Sequence, residues 1–385
     1  MRRHVFTVTI GLTVWVWVWA GVATAADGPA TRPAVSATRP ANGLQVGQVF
    51  DLDGRKVTLQ KVDMLPVVEN EFTSLFTFDR FENPKIKQLR EKYKLDEVVA
   101  AGKTEFEKQV LLMTWAKKSL PFGSPPEGKD GLRNAQEILE EAAKPGVKFF
   151  CVQYASVLLS AVQAMGWPAR QVGIDSHCFM EVWSNQHRKW VMLDPTPSVY
   201  AEKNGVPLNT YEIRHEWFRT DRKDLTWVLC KPGQPIERRR AADSNKAPLS
   251  VDRYWALAYV PNGDLMDSPP DWDKMIVVKD DLTEGHKFHT RKMPANPAVD
   301  QYFPLNQADV SLSPDGKDLR VGLRTLTPNF KEFQVCFDGG VWQSAGDGQK
   351  VAWKIHSGAN KLQARSVNRF GVEGPVSTIE VTVDK

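Results

Sequence analysis

The sequence predicts an α+β domain, built as a cysteine-bearing helix packed on an antiparallel sheet and followed by an all-β sandwich. Three observations predict it. Residues 151–166 repeat apolar side chains at 151, 154, 155, 158, 159, 162 and 165, the stripe of a helix packed on a core. Two alternating runs, HCFMEVW (177–183) and KWVMLD (189–194), flank a polar stretch, SNQHR, and read as a hairpin. From about 309 to 385, five short β-rich runs (LRVGLRT, FQVCFDG, KVAWKI, KLQARSV, STIEVTV) are separated by Asp, Gly and Pro turn residues, the pattern of a sandwich.

The elements follow in chain order. Arg2, Arg3 and His4 precede an uncharged stretch that runs to Ala26, and Ala23-Thr24-Ala25 forms a small-x-small cleavage signal. Residues 1–25 are therefore expected to be a signal peptide, and export to a periplasmic or secreted location is expected with it. An uncleaved anchor is the alternative, because the stretch is just long enough to span a bilayer. Residues 26–43, rich in Ala, Pro and Thr with TRPA repeated, read as a linker. Residues 48–61 form a hairpin around Asp53-Gly54. Helices are predicted over 84–93, 105–118 and 134–143, with a Pro/Gly-rich loop over 120–131. These segments are grouped into a core domain over 44–230, a mixed connecting region over 231–308 and the sandwich over 309–385. Trp217, Trp227, Trp255 and Trp272 read as packing residues, with substrate stacking as the alternative.

Composition excludes some functions. With 42% hydrophobic and 25% charged residues and a formal charge of +4, nothing points to nucleic acid or an anionic membrane as partner. The run Arg238-Arg239-Arg240 reads as a solvated loop. The four cysteines, Cys151, Cys178, Cys230 and Cys336, lack zinc spacing and are too few for a disulfide framework. A Cys178–Cys230 bridge is the least implausible pairing. His286 and His289 lack a third ligand at useful spacing, and no metal or cofactor site is expected.

The chemistry concentrates between 149 and 196. Cys151 opens the helix that Gly166 and Pro168 end. Unpaired N–H groups there favour a thiolate and offer donors to an oxyanion. A small buried thiol that only fills space would read the same way. His177 begins the first alternating run. If the turn is centred on Asn185-Gln186, Asp194 falls directly opposite His177, within imidazole–carboxylate reach, whereas a one-residue slip would put the two on opposite faces. His177 could then take a proton from Cys151 while Asp194 orients the ring. Cys178, next along the strand, points to the other face, and His187 falls in the turn.

These same residues carry a resemblance. The stretch VKFFCVQYASVLLSAVQAMGWPARQVG looks like the nucleophile block of the transglutaminase-like superfamily. HCFMEVW and KWVMLDPTP are similar to its histidine and aspartate blocks, in the same order. The resemblance covers about 105–197. It implies a papain-like core with Cys151, His177 and Asp194 as the triad, and an enzyme acting on amide carbonyls of a protein or peptide as protease, amidase or transamidase. Phe149-Phe150 stands where the family often has Gly before the cysteine, and no side-chain oxyanion donor is evident; Trp115 reads as core. The end of the chain, from NKLQARSV onward, resembles fibronectin type III and immunoglobulin-like domains, which implies a spacer or envelope-contact role. The alternative to an enzyme is a binding or structural protein on the same scaffold.

Overall fold

The computed structural model describes residues 43–243, 253–268, 274–283, 293–295, 301–348 and 351–384. The expected signal peptide, almost all of the linker, Trp272, His286 and His289 lie outside the described residues. Among the described residues no helix is long and apolar enough to cross a membrane.

Helices start where side chains can accept the orphan N–H groups of a first turn. Asn83 caps Pro84–Lys92, Asn134 caps Ala135–Ala142, and Thr104 with Glu107 forms a capping box on Glu105–Ser119. A short helix, Leu95–Val99, was not anticipated. These helices surround a central one, Cys151–Ala164, whose residues from Val152 onward are all buried. Its polar positions are not a solvated face; they are buried, and both glutamines find backbone partners outside the helix. The Gln153 amide donates to the Asp130 carbonyl at 2.8 Å, and the Gln163 amide donates to the Gly263 carbonyl at 2.7 Å.

The central helix packs on a six-stranded sheet in the order 293–295, 276–278, 258–260, 169–174, 177–184, 189–193. Three of those strands come from the 231–308 stretch that the sequence left unassigned. Arg170 and Glu181 lock two neighbouring strands through a buried pair at 2.7 Å, and the guanidinium lies 4.2 Å over Trp190 and 4.4 Å over Tyr259. Burial makes such a pair expensive to break: removing one partner costs about 3–5 kcal/mol. Trp217 and Trp227 are buried in one hydrophobic core with Trp183 and Trp190, as packing residues should be. Arg238, Arg239 and Arg240 are exposed, but they form a strand, Glu237–Arg240, and carry ion pairs to Glu202, Glu237 and Asp243.

The C-terminal β-rich region is a sandwich. One sheet holds Asp309–Asp315, Asp318–Arg324 and Val351–Trp353, and the other includes Phe330–Phe337, Gly358–Asn368 and Ser377–Val383. The N-terminal hairpin departs from the expectation. Val49–Leu52 and Arg55–Asp63 were grouped with the core by position in the sequence, yet Arg55–Asp63 pairs antiparallel with Ser377–Val383. Leu52, Val57 and Leu59 join the sandwich core beside Val321, Trp353 and Ile379. Their alternation reports a strand with one buried face but not whose face covers it.

The two parts meet at the C-terminal end of the central helix. Gly166, at φ +88°, allows the chain to turn directly against Phe370, where an added Cβ would stand 2.6 Å from the Phe370 Cβ. The Asn368 amide donates to the Gly166 carbonyl at 2.8 Å, and Phe370 and Val372 pack on the helical core.

Candidate active site

The site forms where the N-terminus of the central helix meets the open end of the hairpin that carries His177. Phe150 is the N-cap residue and supplies no side-chain acceptor, so no cap occupies the first-turn N–H groups beside Cys151. The approach to the helix is fixed by the 120–131 loop: the Phe149 N–H donates to the Pro121 carbonyl and the Gly123 N–H to the Phe149 carbonyl, each at 2.9 Å. The backbone at the place of the expected glycine is therefore held by strand-like pairing with Phe122.

His177 follows a two-residue turn, Asp175-Ser176, with Ser176 at φ +60°. The hairpin to Lys189–Leu193 differs from the expected register. Ser184 pairs with Lys189 and Met180 with Leu193, so the turn centres between Gln186 and His187. Asp194 is then two positions away from the register partner of His177, not directly across from it. An offset of two keeps the face, since side chains alternate with period two. The contact survives as a diagonal one: His177 Nε2 and Asp194 Oδ2 are 2.6 Å apart. Asp194 is fully buried, accepts the Thr196 N–H at 2.9 Å on its other oxygen, and is bridged through its backbone to Val199. Three anchors thus aim one carboxylate at one ring. With Nε2 engaged, Nδ1 is the nitrogen left for the Cys151 thiol.

Electrostatics follow from these contacts. A hydrogen bond from the Cys178 thiol lowers the Cys151 pKa most, His177 adds its hydrogen bond and charge, and against partial burial the thiol is held down at about 5. Burial alone would pull His177 down, but the charge and hydrogen bond of Asp194, with those of Cys151, raise it to about 10. The pair rests as thiolate and imidazolium between those values.

Cys178 corrects the sequence reading. Strand alternation does turn it away from the His177 face, but that other face is the one the central helix covers, where Cys151 sits. All four cysteines are free, and the Cys178–Cys230 bridge is not formed. His187 lies edge-on to Phe106, 5.2 Å between ring centres, and is not at the cleft. Trp115 packs on the helical core edge-on to Tyr93, as expected for a core residue. Among the described residues no group of three His, Cys, Asp or Glu side chains could hold a metal ion.

A cleft of about 360 Å³ opens over the cysteine, lined by Arg133, Phe150, Gly173, Met275 and both Cys178 and His177. Gly173 pairs with Cys178, and a Cβ there would meet nothing within 4 Å, so it leaves the floor open. Sequence reasoning missed Arg133, Gly173 and Met275. Arg133 and Met275 belong to segments far from the three motif blocks; Gly173 lies within the nucleophile block, where only its pairing with Cys178 reveals a role.

Comparison with known proteins bears on this arrangement. Residues 92–195 match the family model described as transglutaminase-like superfamily. No curated protein matches the chain. Among solved structures it is similar to red sea bream transglutaminase, at 12% identity and a TM-score of 0.22, over 79% of this chain and 72% of that one. Over residues 92–195 the chain therefore carries a transglutaminase-like core.

Proposed function

We propose that the protein is an exported cysteine enzyme that attacks amide carbonyls of protein or peptide substrates, with Cys151 as nucleophile, His177 as acid and base, and Asp194 as the residue that orients His177. The observation that carries this reading is a thiol at a helix N-terminus sharing one cleft with an imidazole whose far nitrogen lies 2.6 Å from a buried carboxylate. The family match over the same segment supports it, since transglutaminase-like enzymes use a cysteine on protein substrates.

In this reading the Cys151 sulfur attacks the carbonyl carbon, and first-turn N–H groups receive the oxyanion. The C–N bond breaks as the His177 imidazolium gives its proton to the departing ammonia or amine, leaving a thioester. Water or an acceptor amine then attacks, His177 takes its proton, and the acyl group leaves as acid or new amide. The thiolate returns with the proton on His177. Hydrolysis is the favoured outcome. Export rests on the N-terminal pattern, and envelope contact through the sandwich is part of the same proposal.

The test is a screen of peptide amides, with and without added primary amines, comparing the wild type with Cys151→Ala. Cys151-dependent release of ammonia or amine is expected. Release that persists in the variant removes the enzyme reading, and a wild type inert toward every amide and toward thiol-directed acyl probes favours a binding scaffold.

A further inference from the structure

We propose that Cys178 is a resolving thiol for Cys151, so that peroxide converts the site reversibly into a Cys151–Cys178 disulfide instead of destroying the nucleophile. The placement comes from the fold. Alternation along His177–Ser184 turns Cys178 toward the central helix, and Cys151 is the first residue of that helix. Both thiols line the same cleft. The Gln171 amide stands 3.7 Å from the Cys178 sulfur on its own strand neighbour and holds it within the sheet. Cys178 itself is buried, while Cys151 is partly exposed, so an oxidant meets Cys151 first. Neither remaining cysteine is placed to compete. Cys230 is buried and its carbonyl accepts from Ser198 and Thr114, and Cys336 lies in the sandwich, donating to the Gly340 carbonyl.

Reactive thiolates beside a second thiol follow a known ladder. The Cys151 thiolate attacks one oxygen of hydrogen peroxide, the O–O bond breaks, and the departing hydroxide takes a proton to become water. Cys151 is now a sulfenic acid. Cys178 loses its proton, its sulfur attacks the Cys151 sulfur, the S–O bond breaks, and the hydroxyl leaves with that proton as a second water. Two thiols have been oxidised by two electrons and one peroxide reduced to two waters. A dithiol such as dithiothreitol reverses the last bond by exchange. The inference rests on Cys151 being the reactive thiolate of the proposed enzyme, but not on its turning over any substrate.

The experiment therefore reads covalent state without substrate. The full chain is treated with hydrogen peroxide, free thiols are alkylated, and tryptic peptides are mapped by mass. Peptides 149–170 and 171–188 each carry one of the two cysteines, so the bridge appears as one linked species. That species is expected in the wild type, lost on dithiothreitol with full recovery of Cys151 alkylation. In Cys178→Ser, and in Cys178→Ala as a second variant, Cys151 is expected to pass to sulfinic acid, with recovery about tenfold lower. Sulfinic Cys151 without the linked peptide in the wild type overturns the proposal, as does equal recovery in wild type and variants. Both outcomes are independent of whether any amide substrate is found.

Discussion

At the scale of single residues, the site depends on where one proton resides. With Cys151 held down at about 5 and His177 raised to about 10, the proposed reaction starts from thiolate plus imidazolium. Falling pH protonates the sulfur; rising pH strips the ring of the proton that the leaving amine needs in the proposed reaction. Plots of kcat/KM against pH are expected to be bell-shaped, with limbs near those two values belonging to the coupled pair. An acidic limb at pH 8–9, the range of an ordinary thiol, would refute a pre-formed ion pair. Cys151→Ala or His177→Ala should remove at least about 10³-fold of turnover, and Asp194→Asn, which leaves the ring unanchored, about 10²–10⁴-fold, measured as kcat on the best amide found. That Cys151, His177 and Asp194 come together was legible in the sequence because three ordered blocks carry them. Its pairing geometry was only partly legible: the turn is one residue further along, and the contact is diagonal. Parity, not the register itself, preserved the inference. Cys178 was passed over for the opposite reason. Its face was read correctly, but nothing in a strand's alternation says which face a distant helix will cover.

At the scale of elements, apolar residues at helical spacing made the helices readable. Asn83, Thr104 and Asn134 each precede an apolar repeat, and the structure places a helix after each. The strands Ala258–Val260 and Ile276–Val278 were not readable, because three residues carry no period and their identity comes from pairing with neighbours. The end of the central helix offers a test of packing. Gly166→Ala places a methyl against Phe370 and forces a side chain onto a left-handed backbone. Together these should destabilise by about 2–4 kcal/mol, seen as a lower denaturant midpoint with unchanged slope. An unchanged midpoint would mean that Phe370 can move aside and that the seam between helix and sandwich is loose.

At the scale of the whole molecule, the sandwich was legible in its C-terminal strands but not in its N-terminal ones. Residues 49–63 stand beside the helical core in the sequence and beside Ser377–Val383 in space. A deletion of residues 377–385 leaves Arg55–Asp63 and Gly358–Asn368 without their shared partner. It should therefore expose the sandwich core, including Ile379's neighbours, and raise binding of a hydrophobic dye. Because Phe370 and Val372 remain, the helix-end contact should persist and thiol-probe labelling of Cys151 should fall less than twofold. Loss of labelling in step with dye binding would show that the two parts fold as one cooperative unit.

The pairing of Arg55–Asp63 with Ser377–Val383 also sets an order of events. A strand made early must wait, its edge uncovered, while the residues up to Ser377 are synthesised. Only then can the seam be zipped. Until that moment the early hairpin is a template for strangers, and the helical core, whose contacts are nearer in sequence, is free to organise first. Assembly would thus run from the middle outward, with the last strand to arrive closing the sheet around the first.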